Sequence, residues 1–380
     1  MRVYVCPALM DWVMSLVLFA VSYGAGERGM TLGQVGWLGV IFQVTYMAAS
    51  LLSGCFLSRR NALPILIASS VGGVLAGTFA LAAQQFGPIF AAMALLGMFA
   101  SFFFNSFQSF MRGETAPGGL TRATARYTFA WSSGFSLGLL TSGSLYRLGP
   151  IALGGVTVLV GGVILLTLLI HRQRPHEEPS AEEHTEQSPP GAPSVAPPYV
   201  WAGWIIIFTT MFVQRPILTF YPAVSAKQGI APVLAGLPLF LHAVVQAVSG
   251  LCMGRLRHWL YRPGPLMAVQ VPAALGLLLL WQFPGYPVTA VGISTLGLWA
   301  GFSYFCAVYY ASNAGHRARN IGINEFLVGL GSFASLFLCE RFIHRTGSAS
   351  VMYAVCGGAL LLSAAAQWSV LTWKKLRASA

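Results

Sequence analysis

Long stretches of this chain carry no charge and are broken at intervals by short polar joints. Leu63 to Ala83 and Pro150 to Ile170 contain no ionisable side chain. As helices rising ~1.5 Å per residue, each is long enough to cross ~30 Å of hydrocarbon. The same pattern predicts twelve helical spans, near 7–26, 33–57, 63–84, 88–111, 123–146, 149–171, 199–222, 231–254, 264–283, 287–311, 320–343 and 349–372. One longer polar interruption follows the sixth span. From Arg172 to Pro198 it repeats Pro, Ser and His and holds Glu177, Glu178, Glu182, Glu183 and Glu186. Such a segment buries too little apolar surface to offset its ordering entropy, which predicts a disordered linker over 172–198. The fold class is all-α: an amino-terminal six-helix bundle over 1–171, the linker, and a carboxy-terminal six-helix bundle over 199–380.

The halves echo each other. Leu96-Gly97-Met98-Phe99-Ala100-Ser101-Phe102 reads against Leu296-Gly297-Leu298-Trp299-Ala300-Gly301-Phe302. Ser53-Gly54 with Ser58-Arg59 reads against Ser249-Gly250 with Gly254-Arg255. Arg122-Ala123 with Gly134 reads against Arg317-Ala318 with Gly329. Internal duplication decides architecture early, and here it predicts two related halves.

Composition then excludes most soluble classes. The 380 residues are 56% hydrophobic and 8% charged, whereas soluble proteins carry roughly a quarter charged residues. The net charge of +12 suggests nucleic acid until its distribution is read. With the amino terminus inside, the inner segments hold most of the arginines, among them Arg2, Arg59, Arg60, Arg172, Arg255 and Arg319. The outer side holds Arg28, Arg147, Lys227, Arg341 and Arg345. This is the positive-inside bias, so both termini are expected in the cytoplasm, and the basic charge is topological. No nucleic-acid partner is expected, because no contiguous basic face is available to follow phosphates. The head of the chain lacks a small-residue cleavage site, so no cleavable signal peptide is expected. Six cysteines lie in or beside spans without C-x-x-C spacing and read as small apolar packing. No phosphate-cradling glycine loop or metal motif occurs. Neither catalysis nor a cofactor is expected.

Six helices, a polar centre and six more, with Ser53-Gly54-Cys55-Phe56-Leu57-Ser58-Arg59-Arg60 after the second helix, resemble the major facilitator superfamily. That family carries a Gly-x-x-x-Asp-Arg motif in this loop. Here Ser58 and Gly254 stand where it has Asp. The fifth helix keeps Gly134 and Gly138 but lacks the proline of many drug antiporters in the family. The resemblance implies a cavity between the halves, opened alternately to either side, with the first helix on that cavity. It also implies a monomer.

Ionisable groups within spans cost at least ~2.5–3.5 kcal/mol on insertion scales, so each is a functional candidate. Asp11, the chain's only Asp, is a candidate proton site or a partner for a cytoplasmic arginine. Arg215 lies in the outer part of its span and precedes Pro216, which loosens the helix there. Its rigid fork of donors suits a carboxylate, phosphate or sulfonate. His242, with Gln246 one turn on, is a candidate for proton coupling or ligand contact. Ser101, Asn105, Gln108 and Arg112 share one face of the fourth span, which nominates Asn105 and Gln108 as substrate contacts. An aromatic stripe through Trp299 and Tyr310 adds candidate substrate packing. Glu325 reads as a coupling carboxylate. In the fold implied by the resemblance it also faces Arg59 and stands in for the missing Asp as an inner gate.

These readings combine into a secondary transporter of the cytoplasmic membrane. It would move a small organic solute, with a preference for an anionic group, and would use protons as coupling ion. Two alternatives remain open from sequence: export of amphipathic compounds by proton antiport, and a non-transporting membrane sensor or assembly protein on the same fold.

Overall fold

The structure, a computed structural model, describes residues 2–58, 60–114, 120–171, 197–253, 256–283, 285–312 and 317–378. The apolar runs become twelve long helices: α1 (Val5–Glu27), α2 (Leu32–Phe56), α3 (Ala62–Ala82), α4 (Phe86–Glu114), α5 (Leu120–Arg147), α6 (Pro150–Ile170), α7 (Pro197–Lys227), α8 (Pro232–Met253), α9 (Pro263–Gln282), α10 (Tyr286–Ser312), α11 (Arg317–Thr346) and α12 (Val351–Ala378). Each agrees with a predicted span to within a few residues. The linker lies outside the described residues except at its end, where Pro197 and Pro198 already belong to α7. Proline is tolerated in a first helical turn, where no intrahelical N–H bond is made. Inside α9, Pro272 removes the N–H that would bond Ala268, and the helix breaks into two segments at Val269.

The chain ends define one face of the bundle, called here the terminal face; the α1–α2 turn marks the far face. Two far-face turns show how closely the halves repeat. Gly29 (φ 75°) ends α1, with Met30 N–H on the Ala25 carbonyl at 3.0 Å and Gly29 N–H on that of Gly26 at 3.1 Å. Gly229 (φ 71°) ends α7, with Ile230 N–H on Ser225 at 2.9 Å and Gly229 N–H on Ala226 at 3.0 Å. Both are Schellman caps, which need a left-handed residue that glycine supplies without strain.

Helix packing repeats in the same way. Helix α1 packs on α5 as α7 packs on α11, α2 on α4 as α8 on α10, and α3 on α6 as α9 on α12. The matched Gly97 and Gly297 mark one of these crossings. A Cβ on Gly97 would stand 2.3 Å from the Phe42 carbonyl oxygen, and one on Gly297 2.3 Å from that of His242. Small residues let membrane helices approach this closely. Gly134 is held against Ala8 of α1, and the residue held against Phe208 of α7 in the same manner is Gly331. The sequence alignment of Gly134 with Gly329 is therefore two residues out of step; Gly329 faces Met47 of α2 instead.

Leu75 on α3, Leu159 on α6, Leu275 on α9 and Leu361 on α12 are exposed. On four equivalent helices such a belt is lipid-facing surface; in water it would be an aggregation patch. Among the described residues, eleven helices are long and apolar enough to cross a membrane by length and composition, and α5 is the remaining long helix. It packs on α1 in its own half and on α8 in the other, so its polar residues face protein more than lipid.

Candidate functional site

The halves are joined at the far face by apolar packing, hydrogen bonds and close backbone contacts. Phe19, Tyr23, Val35, Val40 and Leu139 of the first half share one apolar cluster with Val213, Phe220, Leu239 and Leu336 of the second. Ser22 Oγ donates to the Thr219 carbonyl, and Tyr23 Oη donates to that of Ile230 at 2.8 Å. Glycine allows the backbones to touch: a Cβ on Gly26 would lie 2.4 Å from the Ala223 oxygen, and one on Gly143 2.4 Å from that of Pro232.

Directly beneath this seal lies Arg215. It borders a cavity of about 30 Å³ with Ser22, Gly39, Gln43, Leu218 and Thr219, room for roughly one water. Its Nε is buried with no hydrogen-bond partner. Around it Asp11 (α1), Tyr46 (α2) and Tyr304 (α10) lie within electrostatic reach. Glu325 (α11) and Tyr127 (α5) belong to the same group through Tyr46 and Tyr304. All six side chains are half-buried, and they come from six helices, three in each half. No carboxylate approaches Arg215 closer than 4.0 Å among the described residues. The guanidinium is thus near carboxylates without being consumed by one.

The remaining candidates are placed differently. His242 joins a closed network in the second half: its Nδ1 lies 2.9 Å from the Ile293 carbonyl, and its Nε2 lies 2.9 Å from Gln214 Nε2. Gln214 Nε2 donates its other hydrogen to Gln246 Oε1 at 2.7 Å. A neutral ring, with Nδ1–H donating to the carbonyl and Nε2 accepting from the amide, satisfies every contact. A second proton would set N–H against N–H at Gln214. His242 and Gln246 therefore fasten α7 to α8 and α10.

Asn105 Nδ2 donates to Ser50 Oγ at 3.1 Å and to Ser53 Oγ at 2.9 Å, tying α4 to α2. Gln108, on the same face, is half-buried. Trp299 and Tyr310 are 2% and 1% exposed within separate apolar clusters. Tyr310 packs on the rings of Tyr199 and Tyr261 at 5.5 and 5.4 Å. The aromatic stripe of α10 is spent on packing and is not brought to Arg215. Arg59 lies outside the described residues. Its proposed gate partner Glu325 is grouped with the central tyrosines.

Sequence reading missed Tyr46, Tyr127, Tyr304 and Gln214. One signal was available: a tyrosine in the middle of an apolar helix needs a partner for its hydroxyl. Tyr304 also meets Trp131 across the halves at 5.3 Å between ring centroids.

The Major Facilitator Superfamily sequence model matches residues 3–336. The chain belongs to that superfamily. As a major facilitator it is a multi-pass membrane protein with a transporter fold. It resembles the crystal structure of a D-xylose-proton symporter at TM-score 0.74 and 12% identity, covering 97% of each chain. A mutant of the nucleoside transporter NupG gives TM-score 0.71 and 12% identity, covering 97% of this chain and 98% of that one. A bacterial homologue of the human lysosomal transporter Spinster, inward-facing and occupied, gives TM-score 0.64 and 14% identity, covering 97% and 95%. At these identities the likeness concerns fold. No curated protein matches by sequence. The six-residue group thus sits where the two halves of a major facilitator meet.

Proposed function

We propose that this chain is a secondary transporter that moves a small organic solute bearing an anionic group by alternating access. It would act as a monomer in the cytoplasmic membrane, with both termini in the cytoplasm. The observation that carries this reading is Arg215: a guanidinium at the junction of the halves, its Nε buried without a partner and no carboxylate within 4.0 Å among the described residues. An anion there would supply the hydrogen-bond acceptors the protein withholds. The sealed far face and the likeness to an inward-facing transporter support a state open toward the cytoplasm.

Protons are the proposed coupling ion, with Asp11 and Glu325 as the candidate carriers, one on each half and both within electrostatic reach of Tyr46 and Tyr304. The likeness to a proton symporter supports this. The closed network around His242 argues against that residue as the carrier.

The test is solute flux into vesicles reconstituted with purified protein, with and without a pH gradient, over matched carboxylates and their neutral amides. A carboxylate should be carried and its amide refused. Arg215→Ala should reduce flux by about tenfold or more, the loss expected for one charge-assisted contact. Asp11→Asn or Glu325→Gln should abolish gradient-driven uptake while sparing solute exchange. Normal flux and unchanged apparent affinity in both Arg215→Ala and Arg215→Lys would sink the proposal.

A further inference from the structure

A second cavity, of about 460 Å³, opens at the far face where α1, α3 and α5 end and α6 begins, with Pro232 of α8 at its edge; Arg215 does not line it. Its rim carries Glu27, Arg28, Gln84, Tyr146 and Arg147, and its floor is Ala20, Val21, Ala80, Leu81 and Leu153. The floor is buried; the charged residues of the rim are exposed. The cavity is therefore polar at its mouth and apolar within.

The rim is arranged as well as charged. Tyr146 Oη donates to Glu27 Oε2 at 2.5 Å, which fixes the one carboxylate. A Cβ on Gly24 would stand 3.0 Å from both Arg28 Nη1 and Tyr146 Oη. Glycine at this position lets Arg28 fold back along α1 beside the tyrosine. Neither Arg28 nor Arg147 has a carboxylate within 4.0 Å among the described residues. Both arginines also run against the charge pattern, since basic residues are sparse on this side of the chain. Arg28, just past the end of α1, and Arg147, the last residue of α5, thus bring two positive charges to one cavity.

We propose that this cavity binds the phosphate of an anionic amphiphile, a membrane phospholipid, with the phosphate between Arg28 and Arg147 and the apolar stem on the Leu81 and Leu153 floor. Arginine suits phosphate through its planar fork of donors. The rim lies at the ends of membrane-spanning helices, the depth of lipid headgroups. A soluble phosphorylated solute shares the head chemistry but has no use for the floor.

Native mass spectrometry of the full-length protein in non-ionic detergent tests this with three probes: dioleoyl phosphatidylglycerol, dioleoyl phosphatidylcholine and glycerol 3-phosphate. Phosphatidylglycerol should be retained, and retention should fall about tenfold in Arg28→Gln/Arg147→Gln, the loss of one to two charge-assisted contacts. Arg341→Gln/Arg345→Gln removes the same charge from the same face outside the cavity and should change nothing. Leu153→Trp, which fills the floor, should weaken the lipid alone. Arg28→Lys/Arg147→Lys keeps the charge and should retain most binding if the Gln pair proves unstable. Equal loss in the two Gln pairs, equal retention of phosphatidylcholine, or no binding of any probe overturns the proposal. Binding of glycerol 3-phosphate without lipid overturns the amphiphile assignment.

Discussion

At the scale of single residues, the same side-chain chemistry serves two purposes in this chain, and the count of available partners separates them. His242 has both ring nitrogens occupied and Gln214 has both amide hydrogens spent. Arg215, the next residue along α7, keeps a buried donor unmet. The first pattern is a completed set of contacts and the second leaves a donor open, which is the basis for the proposed role of Arg215. His242→Ala should therefore cost about 1–3 kcal/mol, since it strands Gln214 in a buried site. Thermal denaturation in detergent reads that cost. The pH dependence of uptake should keep its shape in the same variant; a flattened profile would return His242 to the coupling path.

At the scale of elements, close helix crossings rest on glycines whose Cβ would collide with a partner's backbone. Gly97→Ala and Gly297→Ala should each destabilise by about 1–3 kcal/mol, the usual range for overpacking. Gly162→Ala, where nothing lies within 4 Å, should be neutral or slightly stabilising. Equal melting behaviour in all three would refute this account of the repeated motif. The motif was legible because lipid forces apolar residues into unbroken runs and duplication wrote the crossing twice. Among the described residues, eleven of the twelve helices were legible for the first of these reasons; α5 is too weakly apolar for it. The central tyrosines were not. A tyrosine in a membrane helix looks alike whether its hydroxyl faces a cavity or a neighbouring helix, and only the packing of six helices assigns Tyr46, Tyr127 and Tyr304 to one place. Trp299 and Tyr310 present the opposite case. Helical spacing identified their shared stripe correctly, but not that other side chains cover it. Gln214 was hidden by its more conspicuous neighbour Arg215.

At the scale of the whole molecule, the far-face seal holds the halves in one relative position. It consists of a shared apolar cluster, two hydrogen bonds from α1 and several backbone contacts at glycine. Gly26→Leu would drive a side chain into Ala223 and should push the halves apart there. The distance between spin labels at Thr31 and Ala231 should lengthen, and transport should fall as the alternation is biased to one side. An unchanged distance distribution in a well-folded variant would show that this contact is not part of the seal.

The weak apolarity of α5 has a consequence for how the protein is made. The next helix, α6, follows after only Leu148 and Gly149 and is the most apolar of the spans among the described residues. A segment as polar as α5 enters lipid poorly by itself. The two helices should leave the ribosome's insertion channel together as a hairpin, with α5 retained until α6 has been synthesised. A chain truncated before Pro150 would leave α5 without its escort, and a glycosylation tag placed on either side of it would report where it came to rest.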